Sequence, residues 1–253
     1  MYSSVPIAER VHIFDSRDQM GRAAAAQVSE AILLALSEQE TVRIVFAAAP
    51  SQVEFLQHLG SAEIDWSRVD AFHMDEYLGL PDGAPQRFGN WLRRHLFDQV
   101  PLRSVHLIDT RMPASDAAAA YAATLAEAAV DIVCCGVGVN GHLAFNDPPV
   151  ARFDDPEDAR VVDLDEVCRR QQVDDGCFDS LAKVPGQAIT LTVPRLLRTR
   201  RIVCVVPGAA KRSAVTAMLT GPVSTRCPAS ALREHPCWDL FVDREALGEL
   251  MVS

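Results

Sequence analysis

Seven short, mostly apolar runs recur along this chain: Val11 to Phe14, Arg43 to Ala48, Val69 to Phe72, Val105 to Ile108, Asp131 to Cys135, Ile202 to Val206 and Leu240 to Val242. Brief runs of this kind, bounded by turn residues and lacking strict polar alternation, read as strands covered on both faces. Between them the period changes. Arg17 to Leu36 carries alanine and apolar residues at helical spacing, a short helix runs from Pro50-Ser51 through Leu59, and Gln86 to Phe97 has one apolar side. Ser115 to Ala129 reads as an alanine-rich helix with Ser115 as its N-cap, another helix follows Pro207-Gly208 to Leu219, and a last one closes the chain. This alternation predicts a mostly parallel sheet with helices on both faces. No repeat or linker interrupts it, so residues 1–253 read as one domain. The exception is Ala151 to Gly186, with ten acidic residues and little helical or strand period until Ile189. It reads either as a solvated excursion or as a lid at about 151–186.

At 49% hydrophobic and 23% charged residues, the chain has a globular composition and is long enough to bury a core unaided. Its net charge of −10 disfavours general nucleic-acid binding, so an anionic ligand must be met by a local pocket. Seven scattered cysteines without a Cys-x-x-Cys pair argue against a disulfide scaffold or zinc module and for free thiols in a reducing compartment. The start MYSSVPIAERVHIF has no basic-then-apolar signal pattern, and Ala31 to Leu36 is too short to span a bilayer. The expectation is a cytoplasmic protein without a membrane partner. A homo-oligomer is one of the assembly states left open.

In open parallel sheets, ligands bind beyond the carboxyl ends of the strands. Four loops follow strands here: AAAPSQ, HMDEYLGL, GVGVNGHLAFNDPP and PGAAK. The third satisfies G-x-G-x-x-G at Gly136 to Gly141, but Pro148-Pro149 would stop a helix almost at once, so no dinucleotide cofactor is expected. The glycines instead permit a tight path that brings His142 and Asp147 into one pocket. An imidazole flanked by Asn140 and Asp147 can be oriented to move protons near neutral pH. Asp75 and Glu76 directly follow a strand, where paired carboxylates serve as a cap, a solvated turn or a general base. Lys211, one of only two lysines, sits in the first turn of a helix opening at Gly208, either exposed or forming an anion site with the helix terminus. No metal set or nucleophilic Ser/Cys triad is apparent. The sum is equipment for proton abstraction next to a carbonyl, or for hydrolysis, on a small phosphorylated molecule.

With FHMDEYLGL, GVGVNGHLAFNDP, AITLTVPRLL, VVPGAAKRSAV and CPASALREHP, the chain resembles the glucosamine-6-phosphate deaminase (isomerase) family, related to the 6-phosphogluconolactonases. The resemblance runs from about Gln19 to Asp243. It implies a three-layer α/β/α sandwich with a mostly parallel, Rossmann-like sheet and a mobile lid. It also implies conversion of glucosamine 6-phosphate and water to fructose 6-phosphate and ammonium without metal or organic cofactor. By position, the resemblance makes Asp75 the base between C2 and C1, and His142 the acid/base that opens the pyranose ring. Asn140 and Asp147 stand where the family has Asp and Glu, and Lys211 matches the phosphate lysine. Ser51, Glu76, Gly141 and Arg170, with Arg169 as its substitute, complete the expected substrate contacts. Three departures accompany them: neutral Asn140 cannot stabilise an imidazolium as a carboxylate does, Asp147 is one methylene shorter than Glu, and AAAPSQ replaces a Gly-Gly-Thr-Pro loop. A 6-phosphogluconolactonase and a non-catalytic sugar-phosphate sensor are the alternative functions.

Overall fold

The computed structural model describes residues 6–250; residues 1–5 of the MYSSVPIAERVHIF start and residues 251–253 of the expected domain lie outside the described residues. The strands are β1 (Val11–Phe14), β2 (Val42–Phe46), β3 (Val69–His73), β4 (Asp75–Tyr77), β5 (Ser104–His106), β6 (Val130–Cys135), β7 (Ala159–Asp163), β8 (Gln187–Leu191), β9 (Thr199–Val206) and β10 (Trp238–Asp243). The helices are α1 (Ile7–Arg10), α2 (Arg17–Glu38), α3 (Val53–Gly60), α4 (Phe88–Leu92), α5 (Ala114–Ala126), α6 (Glu166–Asp174), α7 (Val193–Leu197), α8 (Arg212–Thr220) and α9 (Arg244–Leu247). Seven strands join in the order β1-β10-β9-β6-β2-β3-β5, every pairing parallel.

The central strands are apolar because both of their faces are covered. Ile44 and Phe46 of β2 pack with Val28 and Ile32 of α2, Leu56 of α3 and Leu92 of α4. Val45, one residue out of phase, joins the opposite core with Leu125 of α5, Leu196 of α7 and Met218 of α8. This period-two division makes three layers, as the resemblance implies. Arg43, Asp70 and Asp131 are buried polar exceptions on these strands. Arg43 is buried against the ring of Phe72 and donates to the carbonyl oxygens of Thr124, Leu125 and Ala128, closing the C-terminal end of α5. A cation suits that end because the last carbonyls of a helix have no partner of their own.

Two local expectations are corrected. Ser115 is not the N-cap of α5. The helix begins at Ala114 with Pro113 in the capping position, and the Pro113 carbonyl accepts the first helical bond from Ala117 N–H at 2.9 Å. The segment from Ala151 to Gly186 is not without period either: it folds into β7, α6 and a short 3-10 turn at Leu181–Lys183. Strand β7 pairs antiparallel with β8, and β8 with β4, making a separate three-stranded sheet. Its own small core contains Tyr77, Phe145, Val162, Cys168 and Phe178. The density of acidic residues hid this because most of them fall in the connections around these short elements, and only Asp163, Glu166 and Asp174 lie within one.

Candidate active site

From β2 the chain winds through β3 to β5 on one side, then returns to place β6 and later β9 on the other. The crevice at such a reversal, beyond the strand carboxyl ends, is where parallel sheets bind ligands. A cleft with about 490 Å³ of open space lies there. It is lined by Ala49, Ser51 and Gln52 after β2, Asp75 after β3, Gly138 and His142 after β6, and Lys211 after β9. All four loops named from the sequence therefore reach one cavity.

The loop after β6 is built to hold an imidazole. A Cβ on Gly138 would stand 2.1 Å from the His142 ring, so only glycine leaves room for it. Gly141 has φ +84, and a Cβ there would approach Cys227 Sγ to 2.7 Å; it shapes the turn and does not line the cleft. Ala144, on the cleft wall, takes φ 49, a left-handed conformation that non-glycine residues rarely adopt. Within this frame His142 Nδ1 stands 2.9 Å from Asp147 Oδ1. Asn140 braces both residues: its amide nitrogen donates to the same carboxylate oxygen at 2.9 Å, and its side-chain oxygen accepts from His142 N–H at 3.1 Å. Burial alone would push the Asp147 carboxyl up, but contact with His142 and the Asn140 amide outweighs it, and the carboxyl is held below its ordinary value. The carboxylate thus stands behind the ring, on its Nδ1 side.

Asp75 and Glu76 have opposite fates because successive strand residues point to opposite faces. Asp75 faces the cleft and is almost wholly buried. Desolvation, reinforced by the negative charges of Glu76 and Asp147, raises its carboxyl well above the usual range. Glu76 turns away. Its carboxylate accepts the backbone N–H groups of Tyr77, Phe88 and Gly89 and lies 3.8 Å from Arg87, which anchors the start of α4. The expected substrate contact at Glu76 is thus corrected to a structural cap.

Lys211 ends a 3-10 turn that leads into α8, and Gly208 ahead of it has φ +91. The lysine is nine-tenths buried in the cleft wall, and burial lowers its ammonium below the ordinary value. Among the described residues its side chain has no hydrogen-bond or ion-pair partner, so its charge is available to a ligand. Ser51 Oγ lies in the same wall and accepts from Gln52 Nε2 at 3.1 Å. Arg170 is not in the cleft: it is exposed and pairs with Glu166 at 2.7 Å. Arg169 is likewise committed, donating to the carbonyls of Leu181 and Val184. Helix α6 instead turns Cys168, Gln171 and Gln172 inward, and the two glutamines line the cleft. Their i, i+3, i+4 spacing was the signal that could have found them. Gln171 is occupied, accepting from Val139 N–H at 3.0 Å and donating to Asp175 at 3.1 Å.

A profile described as glucosamine-6-phosphate isomerases/6-phosphogluconolactonase matches residues 15–239. The chain belongs to this family. The glucosamine-6-phosphate deaminase of Pseudarthrobacter chlorophenolicus is 34% identical over 241 residues, covering 92% of this chain and 90% of that protein. That of Streptococcus sanguinis is 32% identical over 205 residues, covering 81% and 85%. Among solved structures, a monomeric glucosamine-6-phosphate deaminase superposes with a TM-score of 0.85 at 23% identity, covering 94% of this chain and 98% of that one. A 6-phosphogluconolactonase from Thermotoga maritima gives 0.76 at 19% identity, covering 92% and 98%. The isomerase/lactonase family is thus an enzyme family whose fold is shared by deaminases and lactonases. Lys211 is the one cation among the described residues that line this member's cleft. No helix among the described residues is long and apolar enough to cross a membrane.

Proposed function

We propose that this chain is an aldose–ketose isomerising deaminase that converts glucosamine 6-phosphate and water to fructose 6-phosphate and ammonium. The observation that carries the reading is that Asp75, His142 and Lys211 line one cleft.

The phosphate end of the sugar rests against Lys211 and Ser51, which sets the reacting carbons beside Asp75. His142, held by Asp147 and Asn140, takes the proton of the anomeric hydroxyl and supplies one to the ring oxygen, so that the pyranose opens to the aldehyde. Asp75 then removes the proton at C2. The resulting enolamine is reprotonated at C1 by the same carboxyl, leaving an imine at C2, and the proton released by the nitrogen converts the C1 oxygen to a hydroxyl. Water adds to that carbon and ammonia departs, leaving the ketone. A buried carboxylate with a raised affinity for protons suits a group that must take a proton and return it. The machinery requires no redox or metal step.

The test is to incubate the protein with glucosamine 6-phosphate, galactosamine 6-phosphate and 6-phosphogluconolactone, measuring ammonium and sugar products together. Stoichiometric ammonium and fructose 6-phosphate are expected. Lactone consumption without ammonium would select the lactonase alternative, and a thermal shift with sugar phosphates but no turnover would select the sensor.

A further inference from the structure

Behind the imidazole, on the side away from the open cleft, stands a second set of donor atoms. The donor atoms of His142, Asp147 and Cys168 all lie within 4.8 Å of one another, and all three residues are buried. Two come from the glycine-rich loop and one from α6, so no sequence spacing announces the group. We propose that His142 Nδ1, an Asp147 carboxylate oxygen and Cys168 Sγ form a binding site for a thiophilic divalent cation of the zinc class.

The donor set decides the class. One imidazole nitrogen, one carboxylate oxygen and one sulfur suit zinc or cobalt, whereas magnesium and calcium select oxygen donors. Donors around a tetrahedral zinc stand roughly 3.3–3.6 Å apart, so a pair at the 4.8 Å limit would close by about 1.2–1.5 Å and the 2.9 Å His142–Asp147 pair would open by about 0.5 Å. A second observation concerns His142 Nδ1. It is buried and close to Asp147 Oδ1, yet it is not aligned for a hydrogen bond to that oxygen or to any other described acceptor. The carboxylate already has the outer support that metal-ligating groups carry: Asn140 donates to Oδ1, and Asp165 N–H lies 3.4 Å from Oδ2. On coordination the Cys168 S–H bond breaks, the proton leaves to solvent, and a sulfur–metal bond forms without any change of oxidation state. The ion would take the nitrogen that faces Asp147 and tie α6, with its cleft-lining Gln171 and Gln172, to the glycine-rich loop. Its effect on turnover is therefore inhibition. That effect rests on the deaminase reading; the binding does not.

The experiment uses the full chain stripped with a chelator, titrated with zinc chloride by calorimetry and with cobalt chloride by absorption. One zinc per chain is expected, together with a near-ultraviolet thiolate-to-cobalt charge-transfer band. Cys168→Ser and Cys168→Ala should each lose the band and weaken zinc binding at least about tenfold. Deaminase activity of the isosteric Cys168→Ser variant should then resist zinc. Cys237→Ser should keep the band. Cobalt binding without a thiolate band, unaltered zinc affinity in both Cys168 variants, or loss of the band in Cys237→Ser would each overturn the site. Calorimetry and the cobalt band require no turnover, so a chain inactive on amino-sugar phosphates still tests the proposal.

Discussion

Gly138→Ala isolates the placement of the His142 ring from every other property of the site. The added methyl would lie 2.1 to 2.3 Å from Cε1, Nε2 and Nδ1 of the imidazole. Ordinary contact begins at 3.4 Å, so the ring must retreat by about 1.3 Å. Gly138 is not among the positive-φ glycines, so alanine adds no backbone strain of that kind. The ring cannot retreat toward Asp147, whose carboxylate is already 2.9 Å from Nδ1. Misplacing a catalytic group by about 1 Å costs on the order of 10²-fold in rate, the equivalent of about 2.7 kcal/mol in the barrier. The assay is initial-rate ammonium release from glucosamine 6-phosphate, with a thermal melt to show that the variant folds. A folded variant that loses less than about tenfold in kcat would refute the claim that ring position controls turnover.

Asp75→Asn should lower kcat by about 10²- to 10⁴-fold while retaining binding of the phosphosugar by calorimetry. The same variant should melt higher at pH 7. A carboxyl whose folded value is raised contributes stability that is full below the ordinary carboxylate range and lost as pH rises toward the folded value, and asparagine cannot ionise. The acid limb of kcat/KM should lie above the usual carboxylate range, because Asp75 must be ionised to act, and Glu76→Gln should move it to lower pH by removing a like charge. Lys211→Ala should raise KM for the phosphosugar at least about thirtyfold, roughly 2 kcal/mol, as expected for truncating a buried charge on a charged ligand. Arg170→Ala should leave KM unchanged, since its exposed pair with Glu166 lies outside the cleft.

Much of this arrangement was legible because its causes are local. Val42–Phe46 and Val130–Cys135 are apolar apart from Arg43 and Asp131 because both faces are covered, and the loops after them follow from strand direction. His142, Asp147 and Asn140 lie within one turn-rich loop, so nearness in sequence implied nearness in space. What escaped depended on facing direction or on distant pairing. Glu76 differs from Asp75 only by the pleat, and nothing in DEY announces that β4 leaves the main sheet to pair with β8. Arg170 and Gln172 share a helix whose orientation is fixed by Cys168 packing near Tyr77 and Phe145, a contact between separate segments. The family resemblance suggested the arginine as the cleft residue, while apolar packing selected the glutamine.

Asp75 pairs with Thr190 across β4 and β8, and Phe145 N–H donates to the hydroxyl of that same threonine at 3.1 Å. Asn146 adds a second tie, donating to the Leu191 carbonyl at 2.8 Å. The carboxylate and the imidazole loop, which leave β3 and β6 of the larger sheet, thus share a common tie in the minor one, a tie that the loops carrying Lys211 and Ser51 lack. The two proton-handling groups are therefore braced against one another through Thr190. In the proposed reaction the spacing of carboxylate and imidazole then depends on this strand pairing, and not on the loops that carry Lys211 and Ser51.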